Sequence, residues 1–238
     1  MTAAGGLISV LAGTVLLRLA ITGIYGRYVR VGMGPLLVVA GVAMVVLGVV
    51  TLVRSLRRSG DAGAAEAVAH DHDHGAGRIG WLLLAPIAAL LLVAPPTLGS
   101  YGVDRGAKVD VRAGASAFAP LAPGAEPLPM TLLEFSQRAF DRGGASFNGT
   151  PVRLTGFVAG AGPGGEPGGF RLARYQIACC AADAAPVVIR VRVDGAGTVP
   201  PPDRWVTVTG LHAPGGGEVP ELAATSIVEI QAPNDPYE

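Results

Sequence analysis

The chain has 238 residues, of which 50% are hydrophobic and only 15% are charged, against roughly 25% charged residues in a typical soluble domain. Its formal net charge is zero, and residues 101–238 carry 11 Lys and Arg against 14 Asp and Glu. This mildly acidic balance argues against nucleic acid as a partner. The two cysteines, Cys179 and Cys180, are adjacent, which excludes a conventional disulfide framework.

The N-terminal part of the chain contains two apolar runs. The first covers about residues 7–24 and is interrupted by Arg18, and the second covers about residues 35–53 without a charge. Both are close to the roughly 20 residues that a helix needs to cross a bilayer, so we expect two transmembrane helices within residues 1–53. Gly41 and Gly48 are seven residues apart and do not form a GxxxG pattern, so they indicate helix pairing only weakly.

A linker rich in Gly and Ala follows at residues 54–78 and contains the alternating stretch HDHDH. Neutral imidazole nitrogen is a good ligand for zinc, nickel or cobalt, so His70, His72 and His74 are candidate metal ligands. The alternative interpretation is a solvated, flexible polar linker, because nothing in it enforces a closed tetrahedral site.

A third run, residues 79–98, contains 20 residues and no charge. At a rise of 1.5 Å per residue this run can cross a hydrocarbon core of about 30 Å. We therefore predict three transmembrane helices, a multi-pass location in the cell membrane and the lipid bilayer as a partner. A count of flanking charges slightly favours an external N-terminus. The cluster of Arg54, Arg57 and Arg58 beside the cleanest run instead favours an internal N-terminus and an extracytoplasmic C-terminal domain, which is the orientation we adopt.

The remaining chain has the pattern of a small β domain. Residues 99–130 are rich in Gly, Ala and Pro and are interpreted as a tether or an irregular entry to the domain. Thr131 followed by Glu134 is a capping-box pattern that predicts a short helix to about Asp141. Five alternating runs then predict strands over residues 151–159, 170–178, 187–193, 205–211 and 226–231. One short helix and five strands within residues 131–238 favour an OB-like barrel.

The most distinctive stretch of this domain surrounds Cys179 and Cys180. Two thiolates at the end of a strand can bind a soft metal ion, with Asp183 and His212 as candidate further ligands. The sequence establishes no cofactor, and zinc or another transition metal is the candidate. The alternative interpretation is that one cysteine packs in the barrel as a small apolar residue while the other faces solvent.

Several stretches together resemble the YcgQ-like family of bacterial membrane proteins. They are the segment RYQIACCAADA, the linker with HDHDH, the run WLLLAPIAALLLVAPPTLGS and the final Pro236-Tyr237-Glu238. The resemblance implies the same order of elements, with a Cys-Cys-x-x-Asp motif in the β-rich domain. It further implies an accessory role beside a predicted multi-span permease, and it implies no catalytic residue.

We therefore expect a non-enzymatic accessory subunit of a membrane permease system, which handles metal or metalloid ions through the His/Asp linker and the cysteine pair. The alternative is a membrane-anchored protein for thiol-based redox chemistry or metal sensing. Redox domains usually space their cysteines as Cys-x-x-Cys, and no nucleophile elbow, zincin motif or nucleotide fingerprint is present. Oligonucleotide binding is suggested only by the OB-like pattern, and the acidic domain lacks the basic groove that it requires.

Overall fold

The computed structural model of the chain describes residues 3–61, 98–106, 109–112, 117–124, 126–160, 168–193, 198–215 and 217–238. The described residues fall into two compact units. One contains two long N-terminal helices. The other contains Ile24–Val31 together with the described part of Leu98–Glu238, and it is built on a mixed sheet. The predicted third helix lies outside the described residues except for Leu98, so the described part of the chain has two apolar helices where we expected three.

The two helices follow the first two apolar runs. Helix α1 is Ala3–Thr22 and helix α2 is Gly34–Asp61. Both are long and apolar enough to cross a membrane. Pro35 lies in the first turn of α2, where its missing N–H has no helical partner to lose. Helix α2 continues through the arginines that we had placed in the flexible linker, because no helix-breaking residue follows the apolar run before Gly60.

The packing of the helix pair is inverted relative to that of a water-soluble protein. Within the described part of α1 and α2, the buried positions are all glycine, namely Gly6, Gly13, Gly34, Gly41 and Gly48. Large aliphatic side chains lie on the outward faces, where Ile21 is 82% exposed and Val39 is 68% exposed. Water-soluble helices bury such side chains, whereas membrane helices associate through small residues and leave apolar side chains to the lipid. This arrangement is consistent with membrane anchoring.

Glycines from the two helices face each other in pairs. A Cβ atom on Gly48 would lie 2.7 Å from the carbonyl oxygen of Gly6, and one on Gly13 would lie 2.7 Å from the carbonyl oxygen of Gly41. Larger aliphatic side chains pack against these glycines from the opposite helix, namely Val10, Leu17, Val45 and Leu52. The contact glycines of each helix are therefore seven residues apart, which is the heptad repeat of other helix pairs. The absence of a GxxxG pattern did not mean that glycine contacts were absent.

The described part of the second unit contains six strands where we expected five. They are β1 (Leu128–Pro129), β2 (Val152–Val158), β3 (Gly169–Gln176), β4 (Ala185–Arg192), β5 (Trp205–Ala213) and β6 (Glu221–Ile230). The order is β1-β2-β3-β4-β6-β5, and β5 also pairs with β2, so the last five strands close into a ring. The pairs β1–β2 and β4–β6 are parallel and the others are antiparallel. The two-residue β1 was missed because it lies in the predicted tether.

Inward-facing side chains of the strands form the core, and a short helix packs on it. Leu154, Leu172 and Ile189 are fully buried. Helix α3 (Leu132–Phe140) begins where the capping pattern placed it, since the Thr131 hydroxyl accepts a hydrogen bond from the Glu134 N–H at 3.0 Å. The Glu134 carboxylate pairs with Arg138 at 2.8 Å, one turn further along the helix.

The described residues before β1 pack on the β domain. Val103 is buried, with 1% of its surface exposed, in a cluster that includes Trp205. The Ser100 N–H donates to the Asp203 carboxylate at 2.6 Å, and the Tyr175 hydroxyl donates to the Gly99 carbonyl at 2.9 Å. These bonds hold the chain to the domain from Leu98 onward. Composition alone missed them because their partners are distant in sequence.

Candidate functional site

A short connection between two paired strands presents the cysteines to solvent. Strand β3 ends at Gln176, which pairs with Ala185 at the start of β4, so residues 177–184 form a hairpin connection. Ile177 is buried in the core and anchors the start of this connection. Cys179 is exposed and Cys180 is partly exposed, and both are free thiols. Neither cysteine is packed in the core, contrary to the alternative interpretation from the sequence.

The Asp183 carboxylate organises this connection. One of its oxygens accepts a hydrogen bond from the Ala178 N–H at 2.8 Å. The other accepts from the N–H groups of Cys179 and Cys180, at 2.9 and 3.3 Å. The Cys179 thiol also donates to this second oxygen, with Sγ and Oδ2 2.9 Å apart. Asp183 therefore folds the backbone around the two cysteines and orients one of the thiols.

These hydrogen bonds shift the acidity of both partners. The Cys179 thiol and the neighbouring N–H groups lower the pKa of Asp183 to about 2. The hydrogen bond to the Asp183 anion, followed by that to Cys180, raises the pKa of Cys179 to about 11. Cys179 is thus a neutral thiol at physiological pH. Because the Asp183 pKa is lowered, the stabilisation from its ionised form is complete above its ordinary pKa of 3.8 and is lost as the pH falls towards 2.

Two thiols and one carboxylate converge at this connection. The ligand atoms of Cys179, Cys180 and Asp183 all lie within 4.8 Å of one another. The two Sγ atoms are 3.8 Å apart, well beyond the roughly 2.05 Å of a disulfide bond. The structure therefore brings together three of the seven residues named as candidate metal ligands. Of the other four, His70, His72 and His74 lie outside the described residues.

The connection also pairs with a segment that the sequence did not indicate. Ile24–Val31 lies between α1 and α2 in sequence and belongs to the second unit. Val29 forms an antiparallel bridge with Cys180. The Arg30 N–H donates to the Cys179 carbonyl at 3.1 Å, and the Ala181 N–H donates to the Tyr28 carbonyl at 2.7 Å. Hydrogen bonds between main-chain groups some 150 residues apart do not require particular residue types. Neither segment therefore carries a sequence motif that predicts this pairing.

A cavity of about 450 Å³ adjoins the cysteine connection. Its polar lining includes Arg30, Gln176, Asp183 and Glu238. Glu238 is engaged elsewhere, since its carboxylate accepts hydrogen bonds from the first N–H groups of α3, at 2.9 Å for Leu132. The cavity lies in the size range of small-molecule sites, and its wall shares Asp183 with the thiol cluster.

His212 does not join the thiol cluster, contrary to the sequence interpretation. Its ring stacks on Phe147 with the ring centroids 4.6 Å apart and meets the Phe135 ring edge-on. Gly144 lies close against the imidazole, where a side chain would clash. Burial lowers the pKa of His212, so the imidazole packs against Phe135 and Phe147 in its neutral form.

This environment makes the domain sensitive to acid. The unfolded chain protonates His212 near its ordinary pKa of 6.5, whereas the folded chain resists protonation until lower pH. Stability should therefore be complete above pH 6.5 and should fall as the pH drops below it. We expect the thermal midpoint of the purified protein to fall between pH 7.5 and 5.5, and to fall less in a His212→Gln variant. Equal pH dependence in both proteins would contradict this assignment.

Two family models match the chain. The DUF1980 N-terminal domain matches residues 6–106, and the DUF1980 C-terminal domain matches residues 139–238. The chain belongs to the DUF1980 family. Cys179, Cys180 and Asp183 all lie in the DUF1980 C-terminal domain, whereas the Ile24–Val31 segment that pairs with them lies in the DUF1980 N-terminal domain. A comparison with curated proteins found no match.

Proposed function

We propose that this DUF1980 protein is a non-enzymatic, membrane-anchored subunit whose β domain binds a zinc-like divalent cation at Cys179, Cys180 and Asp183. The observation that carries the proposal is the convergence of their three ligand atoms within 4.8 Å on an exposed connection. Two sulfur donors and one carboxylate suit zinc and softer ions. Magnesium and calcium instead select sites made of oxygen.

The spacing of the sulfur atoms supports this choice. In a tetrahedral site with Zn–S bonds of about 2.3 Å, two sulfur ligands are about 3.8 Å apart. The Sγ atoms of Cys179 and Cys180 have this separation. A tetrahedral Zn–O bond of about 2.1 Å would place the oxygen about 3.6 Å from each sulfur, against the 2.9 Å between Cys179 Sγ and Asp183 Oδ2. Binding therefore requires loss of the thiol protons and an increase of about 0.7 Å in the distance between Cys179 Sγ and Asp183 Oδ2.

Three protein ligands leave one tetrahedral position for water or another donor. Structural zinc sites in proteins are closed by four protein ligands, whereas sites that exchange ligands keep a position open. Cys179 and Asp183 are both exposed, so an incoming donor has access from solvent. We infer that the site captures and releases its ion and does not hold the fold together.

The geometry gives less support to thiol redox chemistry. Adjacent cysteines have Cα atoms about 3.8 Å apart, below the usual 4.4–6.8 Å across a disulfide, so an internal bridge would be strained. The nucleophile in thiol exchange is the thiolate, and the hydrogen bond to Asp183 raises the pKa of Cys179 to about 11. A cation that displaces the Cys179 proton would bind two sulfur atoms that already have the spacing of a tetrahedral site.

We further propose that the protein acts beside a permease, as its resemblance to the YcgQ-like proteins implies. The apolar part of its two described helices carries a single charge, Arg18. Transport pathways are usually lined by several polar groups, so this helix pair is a poor pathway alone. Recovery of a multi-span partner on purification from native membranes in mild detergent would support the association. Recovery of the chain alone would count against it.

We propose three membrane crossings, with the β domain outside the cytoplasm. The bonds of Tyr28 and Arg30 to the cysteine connection support a common side for the β domain and the Ile24–Val31 segment. A crossing by α2 would carry the chain to the opposite side of the membrane, so the chain needs one more crossing before Leu98. Residues 79–98 have the length and composition for it. Arg54 and Arg57 then lie on the cytoplasmic side, in agreement with the positive-inside rule.

The two native cysteines make this topology testable. A membrane-impermeant maleimide should label the wild-type protein in intact cells. A variant with Cys179→Ser, Cys180→Ser and Arg57→Cys should be labelled only after the cells are permeabilised. The opposite pattern would place the β domain in the cytoplasm.

We propose an OB-like classification for the ring of strands β2–β6, without a role in nucleic-acid binding. Single-stranded nucleic acid stacks on exposed aromatic side chains in a basic groove. The aromatic side chains of the strands are instead buried in the core, namely Phe157, Phe170, Tyr175 and Trp205. The net charge of −3 over residues 101–238 also disfavours a polyanion.

Zinc titration of the detergent-purified full-length protein tests the cation site. We expect Cys179→Ser and Cys180→Ser each to weaken binding by more than about 100-fold, because each removes a direct ligand and even outer-shell changes at metal sites cost about 10–100-fold. Calorimetry in buffers of different ionisation enthalpy should show proton release on binding, since both thiols must ionise.

Two further variants assign the ion to the site. A variant with His70, His72 and His74 changed to Gln separates any contribution of the linker from that of the thiols. Glu229→Gln removes an exposed carboxylate on β6 and should leave binding unchanged. Unchanged zinc binding in a Cys179→Ser/Cys180→Ser double variant would overturn the proposed site.

A further inference from the structure

The Ile24–Val31 segment, which we call the inter-helix loop, holds the backbone of the proposed cation site. We propose that occupancy of this site is coupled to the inter-helix loop, so that a bound cation orders the loop and an ordered loop strengthens cation binding. This inference rests on the proposed function and adds a positioning element to it.

Hydrogen bonds from the loop fall on both sides of Cys180. The Arg30 N–H donates to the Cys179 carbonyl at 3.1 Å, and the Tyr28 carbonyl accepts from the Ala181 N–H at 2.7 Å. These two bonds produce the antiparallel bridge between Val29 and Cys180. Both peptide groups that flank Cys180 are therefore held by the loop, and the positions of the two sulfur atoms depend on those peptide groups.

The loop is itself anchored to the same unit by a second set of contacts. The Tyr237 hydroxyl donates to the Arg27 carbonyl at 2.5 Å. Gly26 is buried, and a Cβ atom on it would lie 3.3 Å from the Asn234 carbonyl oxygen. Within the loop, the Tyr25 hydroxyl donates to the Val31 carbonyl at 3.0 Å. The loop is therefore a folded segment with two attachments, one at the cysteines and one at the end of the β domain.

A cation that binds both thiols would restrain Cys179 and Cys180, and with them the two peptide groups that flank Cys180. This restraint lowers the freedom of the carbonyl of Cys179 and the N–H of Ala181, which are the groups bonded to the loop. Because linkage is reciprocal, a loop that fixes these groups in advance must raise cation affinity by the same factor by which the cation stabilises the loop contact. The loop continues covalently into α1 at one end and α2 at the other, so both helices are connected to the site through it.

A matched pair of substitutions at Arg30 tests the coupling. Proline has no N–H and removes the bond to Cys179, whereas alanine keeps the N–H and removes only the side chain. In zinc titrations of the full-length protein in detergent, we expect Arg30→Pro to weaken binding by about tenfold, within the 5–150-fold range of typical couplings. Arg30→Ala should remain within about twofold of wild type, and this retention separates the main-chain role from that of the side chain.

Hydrogen exchange on the unmodified protein gives a test that does not depend on a variant that folds. Zinc should slow amide exchange in Ile24–Val31 and leave exchange in β5 unchanged, and Cys179→Ser/Cys180→Ser should abolish the slowing. Intact zinc binding with unchanged exchange in the loop, or with equal affinities for Arg30→Pro and Arg30→Ala, would overturn the coupling alone. A wild-type protein that binds no zinc would overturn the cation site itself.

Discussion

Gly48→Leu should separate α1 from α2. A Cβ atom at this position would lie 2.7 Å from the Gly6 carbonyl oxygen and 2.9 Å from the Val10 nitrogen, so the clash is with backbone and no rotamer change relieves it. Overpacking of this kind costs about 1–3 kcal/mol, and in a two-helix contact the helices can relieve it only by moving apart. Spin labels on the exposed positions Leu11 and Val42, in a Cys179→Ser/Cys180→Ser background, should report a longer mean distance.

An exposed alanine in the same helix provides the control. Ala43→Leu introduces the same side chain on an outward face of α2 and should leave the distance between the labels unchanged. If Gly48→Leu gives the wild-type distance, then the glycine contacts do not hold the helix pair together. If both variants lengthen the distance, the effect is one of added volume in α2 and not of the glycine position.

Asp183→Asn should make Cys179 far more reactive. The carboxylate is the main reason that the pKa of this thiol is about 11 against an ordinary 9.0. Removal of the negative charge should move the pKa back towards the ordinary value. A complete fall of the pKa from about 11 to 9.0 would raise the thiolate fraction at pH 8 about 100-fold, which is the upper limit because Cys180 and burial also raise this pKa. Alkylation by a maleimide proceeds through the thiolate. The rate should be measured in a Cys180→Ser background, so that one thiol reports.

Asp203→Asn is a matched control for this reactivity. Asp203 also accepts a main-chain hydrogen bond, from Ser100, but it bonds no thiol. We expect its substitution to leave the alkylation rate of Cys179 within about twofold of the parent. Equal rates for Asp183→Asn and its parent protein would show that the carboxylate does not control the thiol.

The sequence predicted those parts of the molecule that depend on local patterns. Apolar runs of helical length located α1 and α2, and alternation located four strands of the ring and the second half of the fifth, since the prediction for β6 began at Ser226 and missed Glu221–Thr225. The capping pattern at Thr131 located the start of α3 because it needs only residues three positions apart. The length of α2 was underestimated, since composition gave no reason for the helix to continue beyond the apolar residues to Asp61.

For the candidate site, the sequence predicted the ligands, which are close together in the chain, but not the distant contacts that hold them. The ligands Cys179, Cys180 and Asp183 lie within five residues, so their grouping followed from their spacing. His212 was wrongly added because residue type alone does not show that its ring stacks on Phe147. The pairing of the site with the inter-helix loop joins main-chain groups of residues far apart in sequence. The attachment of Gly99 and Ser100 joins their main-chain groups to the distant side chains of Tyr175 and Asp203. Main-chain hydrogen bonding carries no residue signature.

The glycine contacts between α1 and α2 also determine what a neighbouring protein in the bilayer would encounter. With glycine inside, almost all of the side-chain volume of the helix pair projects outward, as ridges of valine and leucine on a slender core. The exposed Arg18 is the one charge on the apolar part of this surface, and the hydroxyls of Thr14, Thr22 and Thr51 donate to carbonyls of their own helices. A membrane partner would therefore recognise this helix pair through Arg18 and through a surface whose shape complements the aliphatic ridges.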